Sequence, residues 1–375
     1  MGSACSSEQT TRSSRYEVSN KKTASIIEEN SICSGSLTAL SFKHEGSVND
    51  IAAASTTSDY LITGGDDGCL ALHDTASGGL LKLWKGSDCR PITRVSAGKD
   101  LFASASRDLS INLWGVSSST AETVLRGHTM SVSGLSLSRG SERLVCSGSR
   151  DTTVRVWDCA VGGVELFKAT RALNIVTCMR WHPGFGIIGG DGEGEKSSVF
   201  LQASEDLRVL IWDTRCGTSA VSSLTGFTYF PLCLDISTDG LHVLTSSKGF
   251  NSVGCELRTW DLRGGGGGGG GGRSETIFSN GGTCTAQFKG HAQDTTACAF
   301  LGDSRIISAS KDGTIRVWDR LSTVCLRTHQ EPNCSSFTSI TILPSGMIAA
   351  SSSEGSLYVY RFHEEDDTLK LVTRT

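Results

Sequence analysis

The chain has 375 residues, enough for two or three ordinary domains, with 44 glycines, 5 prolines and only 20% charged residues. That glycine content is well above the ~7% norm and fits a chain of short strands that turns often; it excludes collagen and disorder throughout. With 35 basic against 39 acidic residues the net charge is -4, so there is no chain-wide field for nucleic acid, and a dedicated nucleic-acid binder is disfavoured.

The chain opens on MGSACS, which fits M-G-x-x-x-[ST] and would expose Gly2 as an N-myristoyl acceptor. One myristoyl group holds a protein to membrane only marginally, with K of about 10⁴ per molar, so a second signal is needed. Cys5 supplies it as a palmitoylation candidate. Arg12, Arg15, Lys21 and Lys22 are interleaved with Glu8 and Glu17 and would attract acidic lipid weakly. The alternative is an unmodified tail. The first 25 residues hold no apolar run of a secretory signal, so the 14 cysteines are expected as reduced thiols of a cytoplasmic, membrane-associated chain. The nearest pair, Cys325 and Cys334, stand nine residues apart, which excludes C-x-x-C spacing and argues against structural zinc. Two charge-free stretches, 216–234 and 332–353, are rich in Ser, Thr and Gly and do not read as membrane helices. Residues 1–33 therefore read as a flexible tail with an acylation motif ahead of a folded domain at 34–375.

Along that domain one short pattern returns. SGSRDTTVRVWD (147–158) and SASKDGTIRVWD (308–319) are near copies, and weaker copies end at Asp74, Gly115, Asp213, Asp261 and Arg361. The aromatic or equivalent position falls at His73, Trp114, Trp157, Trp212, Trp260, Trp318 and Tyr360, with a base period of about 42 residues. Each copy reads as strand, tight turn, strand. Leu144 and Val145 lead into Ser147, Arg150 and Asp151 mark the turn, and Val154 and Val156 alternate with polar neighbours. A preceding strand at Val132–Leu137 and an outer one at Val164–Phe167 make four. A single such sheet cannot bury both faces, so seven are predicted to stack radially into a closed all-β ring.

The Gly-His pairs at Gly127-His128 and Gly290-His291, followed by Ser, Asp and Trp-Asp at fixed offsets, resemble the WD40 family over about residues 34–375. The resemblance implies a seven-bladed β-propeller whose turns are pinned by a buried hydrogen-bond network. Its members would be His128, Asp151 and Trp157 in repeat three, and His291, Asp312 and Trp318 in repeat six. Repeat one has His73 for Trp, repeat five Gly254 for Asp, and repeat seven Glu354 and Tyr360; these blades are expected to be less tightly fixed. Two segments compete to complete the last blade, Leu37–Phe42 and Leu369–Val372, and the N-terminal one is preferred. Two insertions, 184–197 and 264–272, would leave from the same, bottom face, and the poly-Gly run reads as a spacer rather than a phosphate cradle.

Ile26-Ile27-Glu28-Glu29, SASRD at 104–108, GFNSVGCELRTWDLR at 249–263 and Gly2 narrow the resemblance to ciliary, N-terminally acylated WD-repeat proteins. That implies a scaffold or adaptor working with small GTPase regulators and transport machinery in intraflagellar trafficking. The alternative is a substrate receptor of a ubiquitin ligase, or another cytosolic WD40 scaffold.

No catalytic constellation emerges. Of the eight histidines, His128 and His291 belong to the repeat, His73 takes a Trp position, and His44, His182, His242, His329 and His363 have no partner at ligand spacing. No G-x-S-x-G precedes a helix. Neither an enzyme, a cofactor, a metal nor a small-molecule substrate is expected, and a hydrolytic propeller with metal or carboxylates at its channel is the enzymatic rival. Binding capacity is better founded. The residue before each turn Asp faces one surface, and reads Asp66, Arg107, Arg150, Glu205, Val253, Lys311 and Ser353 around the ring, with Arg90 and Arg171 added by entry loops. Arg90, Arg107, Arg150, Arg171 and Lys311 are candidates for gripping an acidic partner peptide; a solvated rim is the alternative. Phe250, in the stretched turn Lys248–Glu256, is either an exposed anchor or a plug folded back into its blade, and the plug is preferred.

Overall fold

The computed structural model describes residues 40–375 apart from 55–58, 86–88, 99–100, 139–142, 171–173, 184–197 and 264–280. Gly2, Cys5, the insertions 184–197 and 264–272, and Arg171 therefore lie outside the described residues. Seven four-stranded antiparallel sheets follow one another along the chain, at 48–85, 92–125, 132–169, 176–224, 231–288, 295–330 and 337–374. We call them blades 1 to 7, with strands a to d in sequence order. The first strand of each packs against the first strand of the next, and Val48–Ala53 against Phe337–Ile342 closes the circle. The fold is an all-β, seven-bladed propeller.

In blades 2 and 7 burial peaks at the second strand and is lower in the first strand, which lies nearest the axis, and in the outer one. In blade 3 the second strand, Leu144–Ser149, is buried at every residue but its first, whereas the outer strand Val164–Ala169 buries only Phe167 and Ala169. An inner strand is covered by sheets on both sides, so it favours small and apolar residues over alternation. Between blades 5, 6 and 7 one continuous core includes Phe288, Trp318, Phe337, Tyr358 and Tyr360. Truncating an aromatic of this kind to Ala costs about 3–5 kcal/mol.

The seams carry a second device that the repeat alone does not announce. The second residue of strand a donates its side chain to the carbonyl of the first residue of the next blade's strand a. Asn49 Nδ2 reaches Ile92 O at 2.8 Å, Thr93 Oγ1 reaches Val132 O at 2.7 Å, and Ser133 Oγ reaches Val176 O at 2.5 Å. Thr177 reaches Pro231 O at 2.6 Å, Thr296 reaches Phe337 O at 2.9 Å, and Thr338 reaches Val48 O at 2.5 Å. At the seam between blades 5 and 6 the equivalent residue is Leu232, which has no donor. There Thr295 Oγ1 instead reaches back to Cys255 O at 2.8 Å.

The preferred N-terminal closure is overturned. Thr368–Arg374 supplies the outer strand of blade 7, antiparallel to Leu357–His363. The two strands are joined by a four-residue turn, so the hairpin forms at small loop-closure cost, whereas pairing from the far end of the chain would have to close the whole ring. Leu40 serves differently. Its N–H donates to Arg374 O at 3.1 Å, and its side chain packs with Val48, Leu61, Leu343 and Val359 over the join of blades 7 and 1.

Candidate functional site

The turns that carry the candidate binding residues are held from below by polar networks. In blade 3, His128 Nδ1 donates to Asp151 Oδ2 at 3.0 Å, Ser147 Oγ donates to His128 Nε2 at 2.8 Å, and Trp157 Nε1 donates to Ser147 Oγ at 2.9 Å. Blade 6 repeats this with His291, Asp312, Ser308 and Trp318 at 2.9, 2.8 and 2.8 Å. The carboxylate accepts only, so it fixes the proton on Nδ1 and leaves Nε2 to take the serine proton. Asp151 also accepts from Thr129 N at 2.9 Å and Thr153 N at 2.8 Å, which ties the entry loop to the turn. Burial pushes the Asp151 carboxyl up, but the donors from His128, Thr153 and Thr129 outweigh it and hold it well below the usual carboxylate range. Arg150, one residue earlier, is positioned by its own N–H on Ser131 O at 3.0 Å.

The departing blades are pinned as well, by substitutes. In blade 1, His44 Nδ1 lies 3.0 Å from Asp67 and its Nε2 2.7 Å from Thr63 Oγ1, which also meets His73 Nε2 at 3.3 Å. His44, read from the sequence as a partnerless histidine, is thus the network histidine. Its signal was available: it precedes Asp67 by 23 residues, as His128 precedes Asp151. In blade 5, Trp260 donates to Thr245 Oγ1 at 3.0 Å, and Phe227 takes the histidine's place with its ring 5.0 Å from the indole. Buried Arg258 pairs with Glu256 and donates to Gly226 O at 2.6 Å, lying over the Phe227 ring. In blade 7, Tyr360 OH donates to buried Glu331 at 3.4 Å, and His329 meets both residues. A tetrad member is replaced by whichever neighbour completes the bonding, which single-motif matching does not detect.

Above these turns, on the face where the second and third strands of every blade meet, lies a concavity of about 580 Å³ between blades 2 and 3. Arg90, Arg94, Arg107 and Arg150 line it, with Asn49, Thr93, Ser131 and Ser133; Val132 is its aliphatic member. Arg90, Arg107 and Arg150 are exposed rim residues, while Arg94 rises from the inner strand with its guanidinium on Thr93 O at 3.1 Å and Thr177 O at 3.3 Å. None of the four has a carboxylate within ion-pair distance among the described residues. Elsewhere Arg155, Arg215, Arg258, Arg263 and Arg305 all do. Arg94 escaped the sequence reading because it sits inside a strand rather than in a turn.

Lys311 lies apart from this cavity, on blade 6, with its ammonium on Asp294 Oδ2 at 2.8 Å. Phe250 corrects the plug expectation, being 71% exposed. Phe250 and Val253 exchange both backbone hydrogen bonds, at 2.9 and 3.0 Å, around Asn251 and Ser252 with φ of 50° and 64°. That two-residue turn forms a tight hairpin tip and sends the ring outward. The space that the missing Asp side chain would enter at Gly254 is taken by the Tyr229 ring, which a Cβ there would overlap. Among the described residues no three His, Cys, Asp or Glu gather closely enough to hold a metal, and no helix is long and apolar enough to cross a membrane.

The fold and its turn networks define a repeat-built binding scaffold. Residues 34–74, 119–158 and 282–319 match the family model described as WD domain, G-beta repeat. Together with the seven blades, these matches support assignment of the chain to the WD40-repeat family. The chain is 26% identical over 280 residues to Autophagy-related protein 16 of Arabidopsis thaliana, covering 73% of this chain and 48% of that protein. It is 25% identical over 269 residues to Nuclear distribution protein nudF of Aspergillus niger, covering 69% and 56%. WD repeat-containing protein 18 of Homo sapiens is 26% identical over 246 residues, covering 64% and 52%. The chain spans about half the length of these relatives, and none of the three names states a catalytic activity. WD40 propellers in general are non-enzymatic platforms for protein–protein contact.

Proposed function

We propose that this protein is a non-catalytic WD-repeat adaptor that docks an acidic segment of a partner protein across the arginine-lined cavity of blades 2 and 3. The observation that carries this reading is the convergence of four guanidiniums without carboxylate partners on one concavity. Arginine is enriched at binding hot spots and pairs with carboxylates through two parallel hydrogen bonds. Phe250, on the same face at blade 5, supplies an aromatic anchor. Proximity labelling with the parent, an Arg107→Glu/Arg150→Glu variant and Phe250→Ala tests this. The variants keep the parent's melting temperature and lose a shared set of labelled neighbours; identical neighbour sets would sink the docking face.

The tether is a separate part of the proposal. Gly2, with Cys5 as second acyl site, attaches the adaptor to membrane. The resemblance to WD repeat-containing protein 31 supports the cilium or its base as the destination, with small GTPase regulators and transport machinery as partners. Fractionation of Gly2→Ala checks the anchor: the variant moves to the soluble fraction and leaves the cilium, and unchanged membrane association would refute it. A ubiquitin-ligase substrate receptor would use the same face, and co-purification with a cullin adaptor would favour it.

A further inference from the structure

The cavity between blades 2 and 3 concentrates more positive charge than one carboxylate can use. A carboxylate brings one charge and two oxygens, which a single guanidinium fork satisfies. Here four forks converge, two from exposed turns, one (Arg90) from an exposed entry loop, and one, Arg94, fixed as a floor by its bonds to Thr93 O and Thr177 O. A run of several acidic residues could in principle spread over them. The flanks argue against it, because the turn position that carries Arg107 and Arg150 carries Asp66 in blade 1 and Glu205 in blade 4. Asp66 is held beside the cavity wall by Asn49 Nδ2 at 2.8 Å. An extended acidic segment or a nucleic-acid backbone leaving the cavity on either side meets like charge, so the positive field is deep and narrow. A single group of high charge density matches that shape.

Resting on the docking reading above, we propose that the arginine cavity receives a phosphoryl dianion borne on the partner chain, a phosphoserine or phosphothreonine side chain held between Arg94 at the floor and Arg90, Arg107 and Arg150 at the rim. Such a group carries about 1.5 to 2 negative charges and three strong acceptor oxygens, enough to engage several guanidiniums at once. A volume of about 580 Å³ also admits the residues on either side of it. Docking would then be switched by a kinase acting on the partner, with no change in this chain.

The test uses the full-length protein and four fluorescein-labelled peptides in near-physiological salt. Three share an uncharged Gly-Ser-Ala background and differ at one position, as phosphoserine, serine or glutamate; the fourth carries four consecutive glutamates. The phosphoserine peptide is expected to bind at least about tenfold more tightly than either glutamate peptide, the serine peptide not at all, and Arg107→Gln and Arg150→Gln each to weaken it about tenfold. Both arginines are exposed turn residues, so unchanged melting temperatures separate lost binding from lost folding. If the four-glutamate peptide binds as tightly as the phosphoserine peptide, the phosphoryl assignment is overturned while acidic docking stands. If no peptide binds, both fall. If inorganic phosphate alone displaces the phosphopeptide with the peptide's own affinity, the partner-borne source is wrong.

Discussion

Thr338 and Val48, 290 residues apart, are joined by a hydrogen bond of 2.5 Å from the threonine hydroxyl to the valine carbonyl. This bond belongs to the same series that links most neighbouring blades, and here it joins the last to the first. Thr338→Val keeps the shape and removes the donor, leaving the carbonyl of buried Val48 without its side-chain partner. The expected cost is about 1–2 kcal/mol, read as a lower urea midpoint with an unchanged slope. Stability equal to the parent's would mean that this bond adds nothing to the other contacts of the seam, among them Ser339 on Asp50 at 2.8 Å.

The turn aspartates are unequal, although they look alike in the sequence. Asp151 serves His128, Thr129 and Thr153, whereas among the described residues the Asp108 carboxylate accepts from Ser110 alone, at 2.8 Å from its N–H and 2.6 Å from its hydroxyl. Asp151→Ala is expected to cost about 2–3 kcal/mol, because it strands a buried imidazole and three further donors, the N–H groups of Thr129 and Thr153 and the Thr153 hydroxyl, and Asp108→Ala about 1 kcal/mol. Chemical denaturation of both variants checks the ratio, and equal losses would contradict the network account.

His73 makes stability depend on pH. Burial, reinforced by the charge of His44, pushes its pKa down to about 3. The unfolded chain, with an ordinary imidazole near 6.5, therefore binds more protons than the folded one between those values, so stability is lost as pH falls through that window. One such group accounts for about 2 kcal/mol between pH 7.5 and 5. His73→Phe should remove that share of the slope whatever it does to stability at neutral pH. An unaltered slope would show that His73 does not titrate on unfolding.

Leu109 adopts φ of 74° in the turn of blade 2, where blades 1, 6 and 7 place Gly68, Gly313 and Gly355 at 70°, 76° and 81°. A left-handed L-residue costs about 1–2 kcal/mol, which exceeds the entropic penalty of glycine. Leu109→Gly is expected to stabilise the protein by about 0.5–1 kcal/mol, seen as a melting temperature raised by a few degrees. A lowered melting temperature would mean that the half-exposed Leu109 side chain makes contacts worth more than the strain.

Much of the candidate site was legible because it sits in the repeat. Arg107 and Arg150 precede the turn Asp, so their offset from Trp114 and Trp157 assigns them to one face. Arg94 was hidden by its place within an inner strand, where only the approach of a second blade shows that it reaches the same cavity. His44 was missed for want of a preceding glycine, and Phe250 was misplaced because a two-residue turn of non-glycine residues gives no clear hairpin signal. Lys311 takes the same turn position as Arg107 and Arg150, but its charge is answered by Asp294, a partner 17 residues away that no offset in the motif predicts.

Periodicity alone determined the number of sheets, their strand order and the face on which the turns gather, since these follow from a local unit that repeats and cannot bury itself. The tertiary structure decided how the ring closes, which substitutes complete the imperfect tetrads and which charges remain unpaired. Those outcomes depend on residues that meet only after the chain has come full circle. Hydrogen bonds and ion pairs form wherever geometry offers a partner, whatever its distance along the chain.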